Sequence, residues 1–340
     1  MPTLSSQDHE PTISASDIAT GVQYRYRSIR TPRAQAILQV QHHLVRACRQ
    51  FLDQAGFLEV LAPIIGPVTD PGIRGAGAMT VSYYGQAYVV MTSAILYKQM
   101  AVASFPRIYI VSPNVRLEPP ESCQTGRHLA EFYQIDLEVA RGNCALAMDL
   151  GDALLYEAVR SIRRACGAQL EFLGRTLRLP PRHLPRLRHA EAVRRLQAEG
   201  FELRHGEEIP WQAEQHFSRQ FETPFWITDY PVGSRGFYYL QDPDRPDTLR
   251  SMDLLLPEGY GEVASGGERE HTAARVTQRM TDTGEDPARY RWYLEMLQEG
   301  IPASVGFGVG LERLTRYVCG VPHIWECSPF PKVPGIANHR

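Results

Sequence analysis

Gly306-Phe307-Gly308-Val309-Gly310-Leu311-Glu312-Arg313-Leu314 is the stretch of this chain that decides its fold. Its glycines alternate with apolar residues, which is typical of a β-strand, and the segment then continues as a helix with Arg313 about one turn inside it. A strand thinned by glycine lets its backbone lie close to a flat ligand, and a guanidinium can lie over such a ligand. Glycine clusters are common at strand-to-helix turns, so the role of this one depends on the rest of the chain.

Two segments near the middle of the chain suit the same kind of ligand. Arg116-Leu117-Glu118 places a cation and a carboxylate two residues apart, and Arg127-His128-Leu129-Ala130-Glu131-Phe132 adds two basic side chains and an aromatic ring. A purine can stack on an aromatic ring, and arginine forks match phosphate oxygens. Together with the glycine segment, they predict an ATP site.

The composition is that of a globular protein. The 340 residues are 43% hydrophobic and 22% charged, enough to bury one large core or two smaller ones. No apolar run is long enough to cross a bilayer, and the N-terminus lacks the basic start and apolar stretch of a signal peptide. We therefore expect a cytoplasmic protein with no membrane partner. The net charge of −2 provides no overall attraction to nucleic acid.

Positive charge is carried almost entirely by arginine. Of the 36 basic residues, only Lys98 and Lys332 are lysines. A lysine in such a chain indicates a position that needs a compact point charge. Lys332 lies in a proline-rich tail, where chance explains it equally well. Lys98 is therefore a candidate binding residue.

Helical and strand patterns follow one another along the chain. Helices are predicted at 33–54, 94–103, 145–165, 188–199, 271–281 and 287–298, and strands at 57–63, 88–91, 108–111, 132–139, 225–229, 237–240 and 252–256. This order favours an α+β fold with a mostly antiparallel sheet flanked by helices. We expect residues 1–22 to form a flexible tail and residues 23–340 a single domain with a helical insertion at about 160–215.

The predicted strand at 132–139 carries charge on one face. Gln134, Asp136 and Glu138 alternate with apolar residues, so all three point to the same side of the sheet. Two carboxylates and an amide on a strand that follows Arg116 and Glu118 in a hairpin indicate the floor of a charged pocket.

These segments resemble the three sequence motifs of class II aminoacyl-tRNA synthetases. The helix that ends at Gly56 with the strand closed by Pro63 is similar to motif 1, Arg116 to Glu118 to motif 2, and Gly306 to Arg313 to motif 3. The likeness runs from about residue 24 to 336 and is greatest to the aspartyl/asparaginyl subgroup. The family carries an N-terminal barrel that reads the anticodon, whereas only about 22 residues precede the matching core here. We therefore expect a catalytic domain without that barrel, which resembles stand-alone paralogues such as the asparagine synthetases that use ammonia.

The resemblance implies roles for the nucleotide-binding residues. Arg116 and Arg313 are the expected catalytic residues: Arg116 on the α-phosphate and the attacked carboxylate, and Arg313 over the adenine. Glu118 would accept a hydrogen bond from the adenine amino group, Phe132 would stack on the ring, and Arg127 and His128 would reach the outer phosphates.

The family also places Mg²⁺ between the phosphates of ATP. The matching residues are Asp253, Glu262 and Ser265, which supply the oxygen ligands that Mg²⁺ prefers. ATP and Mg²⁺ are therefore the expected cofactors, and Glu262 also counts as an ATP-binding residue.

The expected amino-acid substrate is aspartate. Lys98 and Arg269 match residues that hold the second carboxylate in aspartyl enzymes, and two buried cations favour a dicarboxylate over a neutral amide. Ile95 departs from the pattern, because the aspartyl enzymes have a glutamine there that contacts the α-amino group. Aspartate turned end for end would explain this, with Asp136 or Asp70 as the new counter-ion. The expected aspartate-binding residues are Asp70, Ser93, Lys98, Gln134, Asp136 and Arg269.

The reaction expected from these features is the synthesis of asparagine. An aspartyl adenylate attacked by ammonia would give asparagine, AMP and pyrophosphate, without tRNA as a partner. Transfer of an amino acid to tRNA or to a protein stays open, with the arginine-rich stretch 175–188 as a contact for RNA, as does attack by another amine. A homodimer built on residues 33–63 is also expected.

Overall fold

The computed structural model describes residues 15–71, 76–204 and 206–336. Residues 1–14 of the predicted flexible tail lie outside this range. Residues 15–22 of that stretch belong to helix α1 (Ala15–Gln23). Ile18 and Val22 on this helix are buried against Leu129, Ile324 and Val333. The polar composition of the segment hid these two apolar residues, which lie four apart on one face of the helix.

A sheet of eight strands runs through the centre of the molecule. Its strand order is β1-β5-β6-β11-β10-β9-β8-β7, and every pair is antiparallel except β1 with β5 and β7 with β8. The predicted α+β fold with a mostly antiparallel sheet is confirmed. The strands are β1 (Leu58–Glu59), β5 (Arg107–Val115), β6 (Glu131–Ala140), β7 (Arg186–Arg188), β8 (Phe225–Thr228), β9 (Ser251–Leu256), β10 (Gly261–Glu268) and β11 (Ser304–Gly310).

Long helices cover one face of this sheet. Helix α3 begins after Thr31, whose hydroxyl accepts a hydrogen bond from the backbone N–H of Ala34, and Pro32 occupies its first position. Its buried residues pack with those of α5 and α11 over the strands in one large core. The helices are α2 (Arg25–Ser28), α3 (Pro32–Gln54), α4 (Ile95–Val102), α5 (Cys144–Ala165), α6 (Gly167–Phe172), α7 (His189–Ala198), α8 (Trp211–Arg219), α9 (Ala273–Asp282), α10 (Arg291–Glu299) and α11 (Leu311–Cys319).

Some predicted elements differ from the structure. The strand predicted at 57–63 is reduced to Leu58–Glu59, and 237–240 forms only an isolated bridge between Tyr239 and Arg269. A second, three-stranded sheet contains β2 (Ile65–Gly66), β3 (Thr80–Tyr83) and β4 (Gln86–Val90). The stretch 160–215 contains helices but also β7, which extends the central sheet at one edge. The division into a tail and one domain stays a prediction.

The register of the central sheet aligns residues of the candidate site in one row. Asp136 on β6 lies opposite Gly308 on β11, Gly308 lies opposite Ser265 on β10, and Ser265 lies opposite Asp253 on β9. Four residues that are far apart in sequence therefore lie side by side across the sheet. The candidate site is built on this row.

Candidate active site

A cavity of about 480 Å³ lies over the row. Its lining combines the three segments that the sequence singles out with side chains from α4, α8 and the loop before Tyr238. Of the predicted site residues, only Asp253 is missing from the lining. The cavity has the size of a small-molecule site. We describe first the end beside Lys98, which we call the amino-acid end.

Lys98 is buried within the amino-acid end and is already paired. Its side chain is 1% exposed, and Nζ donates to Asp136 Oδ1 at 2.9 Å and lies 3.6 Å from Glu138 Oε2. Helix α4 presents it there because its neighbours Ile95, Leu96 and Val102 are buried in the core. Lys98 therefore neutralises carboxylates of the protein before any substrate binds.

Arg269 forms a second buried pair in the same cluster. Its Nε and Nη2 donate to the two oxygens of Glu138 at 3.0 and 3.1 Å, and Nη2 also donates to the carbonyl of Gly306 at 2.9 Å. Burial by itself would raise the pKa of Glu138, but the charges of Arg269 and Lys98 outweigh it and hold that pKa below its usual range. Arg269 Nη1 is buried and has no hydrogen-bond partner among the described residues.

The argument that two buried cations require a dicarboxylate is therefore wrong. Asp136 and Glu138 match the charges of Lys98 and Arg269 one for one. Sequence reasoning placed Glu138 on the polar face of β6 but missed its role as the partner of Arg269. The sequence contained one indication of this role. Gly306 lies opposite Glu138 in the sheet, and a glycine there leaves room for the buried side chain of Glu138.

The glycines of β11 make room for these carboxylates. A Cβ atom at Gly306 would lie 2.0 Å from Glu138 Oε2, and one at Gly308 would lie 2.5 Å from Asp136 Oδ1. A Cβ at Gly310 would meet nothing closer than 3.5 Å. At 306 and 308 the space that side chains would occupy is thus filled by acids of β6. The approach of a flat ligand to this strand stays a prediction.

Asp70 provides a further buried carboxylate at the amino-acid end. Its Oδ1 accepts hydrogen bonds from the hydroxyls of Thr92 and, at 2.8 Å, Ser93. The hydroxyl of Tyr238 lies 3.5 Å from Oδ2. Burial and the charge of Asp70 raise the pKa of Tyr238 well above its usual value, so this tyrosine is a permanent hydrogen-bond donor. Asp70 and Ser93 lie together in the lining of the cavity.

Gln134 lies between the amino-acid end and the nucleotide segments. Its Oε1 accepts a hydrogen bond from Asn114 Nδ2 at 2.9 Å, which fixes the orientation of the amide. Ile95 also lines the cavity and packs into the core behind it.

Arg116 lines the cavity and is held there by one of its three nitrogens. Its Nε donates to the carbonyl of Thr92 at 3.1 Å, and its Cζ lies 5.2 Å from the centre of the Phe132 ring. Its terminal nitrogens make no hydrogen bond within the described part of the chain. Glu118 and His128 line the same cavity, and His128 Nδ1 lies 2.7 Å from the hydroxyl of Thr125.

Arg127 lines the cavity and is already paired with an acid. Its side chain is 3% exposed, its Nη1 donates to Glu214 Oε1 at 2.6 Å, and its Cζ lies 4.4 Å from the centre of the Trp211 ring. Its Nη2 lies 3.7 Å from Glu262 Oε2. Glu214 and Trp211 belong to α8 and were missed, because no local pattern links them to the motif 2 segment.

Arg313 and Glu262 form the next pair. Arg313 Nη1 donates to Glu262 Oε1 at 2.9 Å, and its Nε donates to the carbonyl of Arg127 at 3.4 Å. A bulge in β10 between Glu262 and Ala264 brings Glu262 opposite Leu255 and Ser265 opposite Asp253. Glu262 and Ser265 thus point to the same face although they are three residues apart.

The oxygens of Glu262 and Ser265 suit a divalent cation in the cavity. Both residues line it, and a carboxylate with a hydroxyl leaves the remaining positions of Mg²⁺ to phosphates and water. Asp253 fits less directly. It is 1% exposed, and its Oδ2 accepts a hydrogen bond from Arg235 Nη2 at 2.6 Å. Arg235 lines the cavity in front of it and was not predicted from the sequence.

The arginine-rich stretch is mostly occupied by acids of the protein. Arg175 pairs with Glu258, Arg186 with Asp149 and Arg188 with Asp229. Arg178 lies 3.6 Å from Glu222, and Arg182 lies over the ring of Tyr156. Four of the five arginines in the stretch therefore have an acidic neighbour, and Arg178 and Arg188 stay largely exposed beside theirs.

Among the described residues, no helix is long and apolar enough to span a membrane.

Comparisons with known proteins agree with the geometry. A family model described as "tRNA synthetases class II (D, K and N)" matches residues 17–334. The asparagine--tRNA ligase of Pyrococcus abyssi is 32% identical over 314 residues, which is 92% of this chain and 71% of that protein. The asparagine--tRNA ligase of Pelotomaculum thermopropionicum is 33% identical over 314 residues, with 91% and 71% covered.

Solved structures show the same likeness. The asparaginyl-tRNA synthetase from Pyrococcus horikoshii complexed with asparaginyl-adenylate superposes with a TM-score of 0.88 at 29% identity, over 96% of this chain and 75% of that one. The aspartyl tRNA synthetase from Entamoeba histolytica gives a TM-score of 0.80 at 26% identity, over 98% of this chain and 65% of that one.

These relatives overturn two predictions. They match nine-tenths of the chain and are named for joining asparagine to tRNA, not for making asparagine from ammonia. The predicted aspartate–ammonia ligase is therefore wrong, and so is the expectation that tRNA is not a partner. The predicted resemblance itself is confirmed: this chain belongs to the class II aminoacyl-tRNA synthetases of the D, K and N group and carries their catalytic fold.

Proposed function

We propose that this protein is an aminoacyl-tRNA ligase. The carboxylate of an amino acid attacks the α-phosphorus of ATP, pyrophosphate leaves, and a 3′-terminal hydroxyl of tRNA then displaces AMP from the aminoacyl adenylate. Relatives named for asparagine and tRNA support the two substrates, and one of them was crystallised with asparaginyl-adenylate. The observation that supports the first step is that Arg116 lines the same cavity as Lys98 and Arg269 at the amino-acid end and Glu118 and Arg313 of the nucleotide segments.

Arg116 would bring the two reacting anions together. Its Nε is fixed on the carbonyl of Thr92 and one face of its guanidinium lies over Phe132, so rotation of the fork is restricted. The terminal nitrogens can then contact an oxygen of the α-phosphate and one of the attacking carboxylate. Two anions that would otherwise repel are held in contact, which is the main requirement of this reaction.

The remaining nucleotide-site residues would orient ATP around that point. Glu118 can accept from the adenine amino group, the ring of Phe132 can stack on the base, and Arg313 can cover its other face. His128 lines the same cavity and would reach the outer phosphates. Glu262 and Ser265 would hold Mg²⁺, which supplies positive charge beside the phosphate oxygens when it is bound.

The amino-acid end favours a side chain that both donates and accepts. Arg269 Nη1 is a buried donor without a partner, and Asp136 Oδ2 is a buried acceptor without a partner, counted over the residues that the structure describes. A carboxamide supplies one acceptor and two donor hydrogens. A carboxylate would satisfy Arg269 but would leave Asp136 facing a like charge. Asparagine is therefore the amino acid that we propose, with its ammonium beside Asp70.

Aspartate is the second candidate, and Lys98 is the observation that favours it. A movement of Nζ away from Asp136 would let Lys98 contact a second carboxylate of the substrate. The energetic cost is the loss of the 2.9 Å pair with Asp136 in a buried site. Asparagine requires no such loss, since the pair can stay as it is.

Exchange of labelled pyrophosphate into ATP separates the two candidates. Exchange that depends on asparagine, with aspartate at least about tenfold poorer in kcat/KM, would support the proposal. The reverse order would replace asparagine by aspartate without affecting the ligase reaction. Absence of exchange with both amino acids, together with no charging of tRNA by either, would contradict the proposed function.

A further inference from the structure

Arg235 is a buried cation of the cavity to which neither the motifs nor the relatives' names assign a role. Its side chain is 2% exposed, and it follows directly after the turn Val232–Ser234. Nη2 donates to Asp253 Oδ2 at 2.6 Å, and Nη1 contacts the carboxylate of Glu208. Cζ lies 3.9 Å from the centre of the Tyr230 ring. Its Nε is buried without a hydrogen-bond partner in the part of the chain that is described.

The guanidinium of Arg235 occupies the position beside Asp253 that a cation in the cavity would take. Asp253 lies in the row next to Ser265, on the face that also carries Glu262. Glu262, Ser265 and Arg235 line the cavity, whereas Asp253 does not. A metal ion that binds Glu262 and Ser265 can therefore reach Asp253 only when Arg235 leaves it.

The same end of the cavity alternates acids and arginines. Each arginine there is bonded to a carboxylate: Arg127 to Glu214, Arg313 to Glu262, and Arg235 both to Glu208 in the lining and to Asp253 behind it. Arginines that are paired with acids in this way attract the phosphates of ATP less than free ones would. Positive charge from a divalent cation at these carboxylates would compensate them, so that an arginine could leave its acid without an unpaired buried carboxylate remaining.

We propose that Arg235 is a phosphate-binding residue of the nucleotide site. Asp253 holds it until a divalent cation takes that carboxylate, and the released guanidinium then binds oxygens of the β- or γ-phosphate of ATP. Binding of the metal and of ATP are thereby coupled through one side chain. The inference rests on the proposed function only in that ATP is the nucleotide bound.

The test measures binding and needs neither tRNA nor an amino acid. The probes are Mn²⁺ alone, followed by electron paramagnetic resonance, and ATP with Mg²⁺ and AMP, followed by calorimetry. For R235M we expect Mn²⁺ to bind at least about threefold more tightly, because Asp253 is uncovered, and ATP to bind at least about tenfold more weakly. AMP, which lacks the outer phosphates, should bind within about twofold of the wild type.

Two further variants make the result decisive. R245M removes an arginine that is bound to Asp229 and Asp242 outside the cavity, and it should change none of the three affinities. The double variant R235M/D253N removes both charges, so it avoids a buried carboxylate without a partner. It should bind ATP as weakly as R235M does, but it should not bind Mn²⁺ more tightly than the wild type.

The inference is overturned if ATP binds R235M and the double variant as it binds the wild type. Equal weakening of ATP and AMP also overturns it, because the defect then lies outside the outer phosphates. The proposed function fails separately, when no amino acid is charged onto tRNA although these binding results hold.

Discussion

At the scale of single residues, the candidate site depends on two glycines, whose lack of a side chain leaves space for other groups. Gly306 and Gly308 leave the space that Glu138 and Asp136 fill, and these acids in turn hold Arg269 and Lys98. A glycine strand that looks from its sequence like a platform for a ligand thus also serves as the seat of a buried ion-pair cluster. Buried charges of this kind are stable only while every member is paired.

Gly308→Ala tests this role directly. The new Cβ would lie 2.5 Å from Asp136 Oδ1 and would displace it from Lys98. We expect the KM for the amino acid in pyrophosphate exchange to rise at least about tenfold, while the KM for ATP changes by less than about threefold.

Gly310→Ala is the matched control for that variant. Its Cβ would meet only atoms of Arg313 at 3.5 Å or more, which is ordinary contact. If both variants raise the KM for the amino acid equally, the glycines act through the strand as a whole and not through Asp136.

Glu312 makes stability depend on pH. It is 3% exposed, and burial raises its pKa to about 7, although the backbone N–H of Tyr133 donates to both of its oxygens. The unfolded chain loses this proton near its ordinary pKa of 4.5, whereas the folded chain keeps it until about pH 7. The free energy of unfolding therefore falls by up to about 3 kcal/mol as pH rises through this window.

Glu312→Gln should remove that dependence. The free energy of unfolding of the variant minus that of the wild type should increase by about 1 to 3 kcal/mol between pH 5 and pH 8, measured by denaturant titration. The exposed Glu171→Gln on α6 serves as the control. A difference that stays constant with pH for Glu312→Gln would show that its carboxyl ionises alike in both states.

At the scale of elements, strand β6 was read well from the sequence. Strict alternation over 132–139 predicted that Gln134, Asp136 and Glu138 share one face, because side chains of a strand alternate between two faces. Gln134 and Asp136 line the cavity, whereas Glu138 is buried beside it. The partners of these residues could not be predicted in the same way. Arg269 and Glu138 are 131 positions apart, and only the register of β10, β11 and β6 brings them together.

The packing of α5 on the sheet leads to a prediction about Gly151. A Cβ there would lie 2.6 Å from Trp226 Cζ2, and Trp226 is fully buried with its Nε1 bonded to Asp152. Gly151→Ala should lower the free energy of unfolding by about 1 to 3 kcal/mol, since overpacking outweighs the gain in helix propensity.

Gly167→Ala on α6 is the control for that substitution, because a Cβ at Gly167 would meet nothing within 4 Å. Denaturant titration of both variants shows whether overpacking or helix propensity dominates the change in the free energy of unfolding. A stabilised Gly151→Ala would mean that Trp226 can move aside.

At the scale of the whole molecule, the fold class could be predicted and the composition of the site only in part. Arg116 and Arg313 belong to recognisable motifs, and they line one cavity with Glu262 and Arg269, which the resemblance also singles out. Arg235, Trp211 and Glu214 come from a loop and a helix outside every motif. Their approach to the cavity is decided by tertiary packing, which local patterns do not encode.

The homodimer stays a prediction that the surface of residues 58–64 supports. Leu58, Leu61 and Ile64 are 46%, 89% and 66% exposed, next to β1 at the open edge of the central sheet. Apolar side chains at a sheet edge favour contact with a second chain. Sedimentation equilibrium should give a dimer for the wild type and a monomer for Leu61→Glu combined with Ile64→Glu. A wild-type monomer at micromolar concentration would contradict the prediction.

The central claim is that this cavity serves the charging of tRNA, and one measurement tests it most directly. Purified protein is incubated with ATP, Mg²⁺, labelled asparagine and total tRNA, and the label that precipitates with RNA is counted. We expect label on tRNA that requires ATP and disappears with ribonuclease or with Arg116→Lys, which keeps the charge but not the fork. Label that never enters RNA with either asparagine or aspartate, while the same preparation consumes ATP to AMP, would contradict the account.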